Sequence, residues 1–341
     1  MQQTVLLTGG TGYIGSWICK YLLEAGDTVR VTVRNKSQTD KYAHLKALET
    51  GTNGTIEFWE ADLLKSGSYD EAAKGCSVIF HIASPFLLTV KDPQKELIDP
   101  ALIGTRNVLE AANRSGTVKK VVLTSSVVAI YGDAKDMADQ GLTAFTEAQW
   151  NTTSSLQHQP YAYSKTLAEQ AAWEIARAQN QWQLAVINPG FVMGPSLTPH
   201  SASESLTLMK DYLKGKFATG VPDIYFGLVD VRDVAKAHVL AAQNPQAEGR
   251  TILANTSVTM LQLGQLIKKV SGQMFGLPFM TAPKWLVSKI GFLFGVTPEY
   301  IEKNAGYPLV FDNTKSKQIL GIQYREIEET IGDMVKQIKQ G

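Results

Sequence analysis

The chain has 341 residues, of which 44% are hydrophobic and 19% are charged, enough apolar sequence for the core of one large or two medium domains. Its 33 Lys and Arg residues nearly balance its 32 Asp and Glu residues. A formal charge of +1 argues against a nucleic acid or an anionic membrane bound by bulk electrostatics. The expected partner is therefore a small molecule.

Two further features bear on the compartment. Cys19 and Cys76 are too few for a disulfide framework, and each lies in apolar sequence that suits a buried thiol. The N-terminal sequence MQQTVLLTGGTG indicates a strand rather than a signal peptide, so we expect a cytoplasmic protein. The stretch WLVSKIGFLFGV at 285–296 contains Lys289 and favours a core or lid helix over an interfacial membrane helix, so no membrane partner is expected.

Apolar runs rich in Val and Ile alternate with helical patterns along the first 190 residues. Strands are predicted at 4–8, 28–33, 55–62, 77–83, 119–126 and 184–192. Helices are predicted at 12–25, 68–74, 93–115 and 160–180, with Pro100 expected to kink or divide the third. This order predicts an α/β fold with a doubly wound parallel sheet of Rossmann type and right-handed crossovers.

The alternation stops after residue 190, where SLTPHSASES predicts a loop. We expect a smaller, discontinuous C-terminal substrate domain over about 191–225 and 251–341. The segment 226–243 has the pattern of a strand and a helix that return to the first domain. The predicted Rossmann domain therefore comprises 1–190 and about 226–250.

The first predicted strand leads into GGTGYIG, in which Gly9, Gly12 and Gly15 are spaced three apart. The first glycine permits a tight turn, the second lets the backbone approach a pyrophosphate, and the third lets the helix pack closely. The strand before the motif and the amphipathic helix after it favour a dinucleotide site over a simple turn. The cofactor contacts expected here are Gly9, Thr11, Gly12, Tyr13, Ile14 and Gly15.

The second predicted strand ends at Arg34, where an NAD-binding unit usually has a carboxylate for the ribose 2′-hydroxyl. An arginine favours NADP(H), because its guanidinium can pair with a 2′-phosphate, and Lys36 or Lys41 can add charge. A solvated basic loop is the alternative. Asp62, followed by Leu63, is placed for the adenine or for capping the next helix.

The segment YAYSKTLAEQ places Tyr161 four residues before Lys165, so both side chains lie on the same helix face, whereas Tyr163 does not share it. An adjacent ammonium and cofactor ribose hydroxyls can favour the phenolate and lower the pKa of a phenol. Tyr161 is therefore the predicted proton donor.

The strand KKVVLTSS brings hydroxyls to the carboxyl edge of the predicted sheet, where open α/β sheets bind ligands. Ser125 and Ser126 end that strand, and a hydroxyl there can hydrogen-bond a substrate carbonyl. Thr124 is predicted either to contact the cofactor or to be structural.

These features together resemble the extended short-chain dehydrogenase/reductase superfamily, which combines the glycine motif, a serine after the fifth strand and a Y-x-x-x-K pair. The segments GSWICKYLLEAGDTVRVTVR, FHIASPF, VVLTSS, YSKTLAEQAAW and VDVRDVAKAH are similar to its branch of dihydroflavonol reductases, cinnamoyl-CoA reductases and microbial methylglyoxal or ketone reductases. The resemblance covers most of the chain and weakens beyond about residue 250. It implies that Ser126 orients the carbonyl, Tyr161 donates the proton and Lys165 anchors the ribose.

The resemblance also implies further cofactor contacts. Arg34 and Lys41 fall at the 2′-phosphate positions. The segments HIASP and PGFV are similar to those beside the cofactor and along the nicotinamide, which implicates Ile82, Ala83, Ser84, Pro189, Gly190, Phe191 and Val192. His81 in the first segment is expected to be a hydrogen-bonded core residue rather than a base.

Departures from the plant enzymes make both plant activities doubtful as native functions. Tyr131 stands where plant dihydroflavonol reductases usually have asparagine or aspartate, and no glutamine lies near Gly227. YAYSK also differs from the NWYCYGK signature of cinnamoyl-CoA reductases. We expect an apolar substrate pocket that draws on Phe86, Tyr131 and Phe191, although each aromatic would equally suit an ordinary core.

The sequence thus predicts a reversible NADPH-dependent carbonyl reductase. The alternatives are a sugar-nucleotide epimerase or dehydratase or a hydroxysteroid dehydrogenase of the same superfamily, and an NADP-binding redox sensor. The absence of a carboxylate between Ser126 and Asp133 argues against a dehydratase, and Tyr161 argues against a sensor. No metal is expected, because the five histidines are scattered without ligand spacing. A monomer and a homodimer remain equally reasonable.

Overall fold

A computed structural model describes residues 2–84, 90–198, 203–273, 275–291 and 296–340. Its strands are β1 (Thr4–Thr8), β2 (Thr28–Val33), β3 (Thr55–Glu60), β4 (Val78–His81), β5 (Lys120–Thr124), β6 (Gln183–Pro189), β7 (Phe191–Met193), β8 (Tyr225–Asp230), β9 (Gly249–Leu253) and β10 (Thr256–Thr259). Seven of them form one parallel sheet in the order β3-β2-β1-β4-β5-β6-β9. This order confirms the predicted doubly wound fold.

The helices follow the strands in chain order. They are α1 (Tyr13–Glu24), α2 (Ala43–Leu48), α3 (Asp70–Ala73), α4 (Asp99–Ser115), α5 (Lys135–Asp139), α6 (Pro160–Arg177), α7 (Glu204–Leu213), α8 (Val231–Gln243), α9 (Met260–Ser271), α10 (Lys284–Ile290), α11 (Pro298–Asn304), α12 (Thr314–Ile319) and α13 (Ile327–Gln340). A π-helical turn at Gln94–Ile98 precedes α4, and Pro100 lies in the first turn of α4, so the predicted division of this helix is present. Among the helices described, none combines the length and apolar character that crossing a membrane requires.

The large sheet is buried on both faces, as its apolar strands require. Neighbouring residues of β1 point to opposite sides, so that Leu7 packs with α1, α2 and α8 while Leu6 packs with α3, α4 and α6. Both leucines are fully buried. Cys19 and Cys76 are buried free thiols within these two layers, as their apolar context predicted.

The chain changes sheets at Gly190, so the predicted strand 184–192 is two strands rather than one. Its first part is β6, and its second part, β7, pairs with β8 in a three-stranded sheet of order β10-β8-β7. A Cβ at Gly190 would collide with the carbonyl oxygen of Gly227, so this crossing requires a glycine. An apolar cluster that includes residues of α7, α9 and α13 packs on the small sheet.

The segment 226–243 contains the predicted strand and helix, but the two go to different places. Helix α8 packs against α1 on the large sheet, whereas β8 lies in the small sheet rather than returning to the large one. The seventh strand of the large sheet is instead β9, and the boundary predicted near residue 250 falls within it. The apolar sequence of β8 cannot show which sheet the strand joins, because a place in either sheet would bury it.

A buried charged network joins α6 to the edge of the large sheet. Glu169 of α6 is 1% exposed and accepts hydrogen bonds from Arg250 Nε of β9 at 2.6 Å, from Asn188 Nδ2 of β6 at 2.8 Å and from the Ser125 hydroxyl at 2.5 Å. The guanidinium of Arg250 also lies 4.0 Å from the ring centre of Trp150. Because both charges are buried, each depends on the other for compensation.

This dependence predicts a large effect of Arg250→Met. The substitution leaves the Glu169 carboxylate buried without its cation, so we expect the free energy of unfolding to fall by about 3–5 kcal/mol. The control is Arg106→Met, which removes a 3.3 Å ion pair between Arg106 on α4 and Glu174 on α6. The two side chains are 54% and 72% exposed, so the free energy of unfolding should fall by only about 0–1 kcal/mol. Urea unfolding of both variants measures the difference, and equal losses would contradict the importance of burial.

Candidate active site

The glycine motif forms a turn that only glycines can make. Gly9 has φ of 70°, and a Cβ there would lie 2.7 Å from the backbone nitrogen of Ala83. A Cβ at Gly15 would collide with the carbonyl oxygen of Gly9, while the Gly12 amide donates to that oxygen at 3.0 Å. The turn therefore brings the first turn of α1 directly against the end of β1, as the motif predicts.

The amino end of α1 suits an anion. Gly12 precedes the helix in an extended conformation, no side chain caps the free backbone amides, and the first turn contains no acidic residue. Thr11 and Ile14 are partly exposed beside this end. Uncapped amides and the positive end of the helix dipole fit the pyrophosphate of a dinucleotide.

Tyr13 is placed differently from the other residues of the motif. Its hydroxyl donates to the carbonyl oxygen of Gly194 at 2.6 Å, and its ring packs between the cores beneath the two sheets. Burial raises the pKa of this phenol. Its side chain thus joins the two sheets, and its place in the predicted cofactor site rests on its backbone at the start of α1.

The residues predicted at the 2′-phosphate and adenine lie beyond β2 and β3. Arg34 and Lys41 are exposed, and among the described residues Arg34 has no ion pair. Asp62 Oδ1 accepts the amide of Leu64 at 2.9 Å in a local turn, and it does not cap the next helix, α3, as its alternative role required. The carbonyl of Leu63 accepts from Asn107 Nδ2 at 2.7 Å. The two exposed cations fit a phosphate, whereas Asp62 and Leu63 already have structural partners.

The end of β4 is held to the end of β1 through the Thr8 hydroxyl. Thr8 Oγ1 accepts the amides of Ile82 and Ala83 at 3.2 and 3.1 Å, and lies 2.8 Å from His81 Nδ1. Burial, and next the charge of Lys165, lowers the pKa of His81 to about 3. His81 is thus a neutral core residue, as expected. Ile82, Ala83 and Ser84 line the end of the strand beside the glycine turn and are partly buried.

Three successive hydroxyls at the end of β5 have different partners. Thr124 Oγ1 lies 2.7 Å from His238 Nε2, which favours its structural alternative, and Ser125 donates to Glu169. Ser126 is only partly buried and begins the short 3₁₀ turn Val127–Ala129, where its Oγ accepts the amide of Val128 at 3.3 Å. Because that turn packs on α6, Ser126 lies beside the helix that contains Tyr161 and Lys165.

Tyr161 and Lys165 share one face of α6, as the four-residue spacing predicts. Lys165 Nζ lies 5.8 Å from the centre of the Tyr161 ring. The lysine is 8% exposed, whereas the tyrosine is 36% exposed. Tyr163 is two residues from Lys165 and lies on another face.

Electrostatics distinguish the two groups. Burial lowers the pKa of Lys165 to about 8, and the charge of Glu169 one turn later opposes this shift. Burial, and next the charge of Glu204 on α7, raises the pKa of Tyr161. The phenol is therefore fully protonated at neutral pH, and the lysine titrates near the working range.

Two of the aromatic residues predicted to line the substrate pocket lie in the described part of the chain. Phe191 stacks on Phe226 at a centroid distance of 4.9 Å, and Tyr131 stacks on Phe145 at 5.1 Å. Phe145 is fully buried, whereas Phe191, Phe226 and Tyr131 are partly exposed, so these three are compatible with the predicted pocket and with ordinary core packing. Phe86 lies outside the described residues.

The chain between β6 and β7 passes beside the end of the large sheet. Pro189 is buried, Gly190 donates its amide to the carbonyl of Leu253 at 2.9 Å, and Val192 is partly exposed. The hydrogen bond fixes the segment that is predicted to lie along the nicotinamide.

Sequence reasoning missed two acidic residues of the site. Glu169 follows Lys165 by four residues on the same helix face, so the spacing that identified Tyr161 could also have found it. Glu204 has no such signal, because its influence on Tyr161 depends on how α7 packs. The described residues contain no group of three or more His, Cys, Asp or Glu arranged to hold a metal ion.

Comparison with known proteins identifies the family. Residues 5–254 match the NAD dependent epimerase/dehydratase family. Cinnamoyl-CoA reductase 1 of Petunia hybrida is 35% identical over 340 residues, covering 99% of this chain and 92% of the petunia protein. Tetraketide alpha-pyrone reductase 2 of Arabidopsis thaliana is 38% identical over 267 residues, covering 77% of this chain and 81% of that protein.

A solved structure extends the similarity to three dimensions. Gre2 from Candida albicans, solved in complex with NADPH, has a TM-score of 0.80 and 32% identity, with 99% of each chain covered. These similarities confirm the predicted superfamily and branch, and at the level of the family they confirm an oxidoreductase that uses NADP(H). The chain belongs to the NAD dependent epimerase/dehydratase family.

Proposed function

We propose that the protein is an NADPH-dependent carbonyl reductase that converts a ketone or an aldehyde to an alcohol and also catalyses the reverse reaction. The observation that carries this proposal is the pairing of Tyr161 with the buried Lys165 on one face of α6. Support comes from relatives named as reductases over nearly the whole chain, and from the similarity to a structure that contains NADPH.

The cofactor would lie across the carboxyl ends of the large sheet, where open α/β sheets bind nucleotides. The glycine turn and the uncapped end of α1 suit the pyrophosphate, and the exposed Arg34 and Lys41 suit the 2′-phosphate. The backbone at 82–84 and 189–192 would line the remainder. When bound, NADPH supplies the hydride that reduces the carbonyl carbon.

The protein's own groups handle the oxygen and the proton. Ser126 would donate a hydrogen bond to the carbonyl oxygen as negative charge develops there. The Tyr161 hydroxyl would then give its proton to that oxygen, so that its O–H bond breaks and a phenolate remains. The Lys165 ammonium stabilises that phenolate, and in the family resemblance it also anchors the cofactor ribose.

The substrate proposed is a hydrophobic carbonyl compound. The partly exposed rings of Phe191, Phe226 and Tyr131 offer apolar surface near the end of the sheet. Apolar surface and one hydrogen-bond donor for the oxygen are the usual features of small-molecule sites. The carbonyl is then the only polar group that the substrate needs for recognition.

The proposal predicts NADPH-selective turnover of simple carbonyl compounds. Aryl ketones, diketones, β-keto esters, aldehydes and a dihydroflavonol would be tested with NADPH and NADH by absorbance at the nicotinamide band. We expect NADPH to be preferred by roughly 10-fold or more, because a charge-assisted bond to a phosphate contributes about 1.5–3 kcal/mol, and Arg34→Ala should narrow that preference. NADPH binding without reduction of any carbonyl would contradict the proposed function and favour a sensor.

Replacing Tyr161 tests the proton donor. Tyr161→Phe keeps the ring but has no proton to give, so kcat should fall by roughly 10²–10⁴-fold. Tyr163→Phe is the matched control, two residues away in the same helix, and should change kcat little. The NADPH dissociation constant of both variants, measured by fluorescence, should match that of the wild type. Similar losses of kcat in the two variants would refute the assignment.

The lysine predicts a pH dependence. Raising the pH through the Lys165 pKa of about 8 removes the ammonium, while the raised pKa of Tyr161 keeps the phenol protonated. The kcat/KM for reduction, which reports groups of the free enzyme, should therefore fall as the pH rises above about 8. Lys165→Arg retains its charge and should lose this descending limb. The same limb in the arginine variant would assign it to another group.

A further inference from the structure

The residue immediately before α6 has an unusual backbone. Gln159 has φ of 56° and ψ of 57°, and among the described residues it is the only one other than glycine with positive φ. This conformation is unfavourable for a glutamine, and Pro160 adds a steric penalty because proline pushes its predecessor toward extended conformations. Strain of about 1–3 kcal/mol persists only where surrounding contacts fix the residue.

The side chain of Gln159 does not cap the helix that follows it. Helix α6 has no side-chain cap, although Ser, Thr, Asp or Asn at this position would stabilise it by about 1 kcal/mol. Instead, Gln159 Nε2 donates to Asp133 Oδ1 at 2.7 Å and to the carbonyl oxygen of Gly132 at 2.5 Å. The side chain thus fixes the strained residue to the segment that follows the Ser126 turn.

Asp133 is a buried acceptor for three separate side chains. It is 1% exposed, and besides Gln159 it accepts from His158 Nε2 at 2.8 Å and from Asn304 Nδ2 at 2.6 Å. The nearest lysine, Lys303, lies 4.0 Å away. A buried carboxylate with this many donors holds each of them in place, because losing one leaves polar atoms unsatisfied.

Asn304 brings a distant part of the chain to the same point. It is the last residue of α11, and its Oδ1 accepts the amide of Ala134 at 2.9 Å. Its amide oxygen thus binds the backbone of the 133–134 segment, while its amide nitrogen binds the Asp133 side chain. Asn304 is 5% exposed. The start of α6 is therefore linked through Asp133 to a helix of the C-terminal region.

We propose that Asp133, Gln159 and Asn304 form a positioning clamp that sets the start of α6 and thereby directs the Tyr161 hydroxyl toward the substrate. Tyr161 is two residues beyond Gln159, so a small rotation of the helix start moves its hydroxyl. The inference rests on the proposed function of Tyr161. The clamp residues are positioning residues, which act through the tyrosine and do not touch the reacting atoms.

The test uses Gln159→Gly in the full-length chain. Glycine adopts positive φ without strain, and this relief offsets part of the stability lost with the bond to Asp133, so the variant should fold. We expect kcat to fall roughly 10-fold or more through misplacement of Tyr161, with the NADPH dissociation constant unchanged. The matched control is Gln157→Gly in the same loop, an exposed position at which kcat should stay at the wild-type value.

A double-mutant cycle separates positioning from a general structural role. In a Tyr161→Phe background, Gln159→Gly should change the residual rate less than 2-fold, because the group it directs is already absent. An equal loss in both backgrounds, or an unchanged kcat in the single variant, overturns the clamp while leaving the proposed function intact.

Amide hydrogen exchange over residues 155–165 gives a readout that needs no activity. Loss of the clamp should speed exchange of the Tyr163 amide, which donates to the Gln159 carbonyl at 3.1 Å. If the wild-type chain reduces no carbonyl, the proposed function fails. The exchange rate of the Tyr163 amide then tests the clamp by itself. Exchange equal to that of the wild type would refute it.

Discussion

The arrangement of the site depends on one buried carboxylate. Glu169 lies one turn after Lys165 on α6, and its two oxygens bind groups from β5, β6 and β9. The same side chain therefore fixes α6 against β6, β9 and the end of β5, and opposes the effect of burial on the Lys165 pKa. Such a group is tolerated only because Arg250 compensates its charge within hydrogen-bond distance. The position of α6 and the pKa of Lys165 thus both depend on the Glu169 carboxylate.

The proposed acid and its partner have opposite electrostatic needs. The proposed proton donor must be protonated before the reaction. An ordinary phenol already is at neutral pH, and burial together with the charge of Glu204 raises the pKa of Tyr161 further. After proton transfer the phenolate needs a cation, and Lys165 is close enough to supply one. Burial makes the lysine readily deprotonated and strengthens its effect when charged, since charges interact more strongly away from water. The surroundings of Tyr161 therefore favour the loss of its proton only while Lys165 is charged.

The small sheet and the C-terminal helices also contribute to the reactive end of the large sheet. The Tyr13 hydroxyl joins the glycine turn to Gly194 beyond β7, and Asn304 joins α11 to the segment after Ser126. A substrate that contacts the C-terminal region would thus meet elements already bonded to the cofactor loop and to the start of α6.

The sequence by itself determined the features that local patterns encode. The strands β1 to β6 follow from apolar runs rich in Val and Ile, and the shared face of Tyr161 and Lys165 follows from the helical period of 3.6 residues. The glycine turn follows from positions that require glycine. Only the tertiary structure decided the partners that come from far along the chain. The seventh strand β9, the placement of β8 in the small sheet and the ion pair of Glu169 with Arg250 depend on which distant segments meet. The positive φ of Gln159 belongs to the same class, because no local preference of glutamine favours it and contacts with Asp133 hold it there.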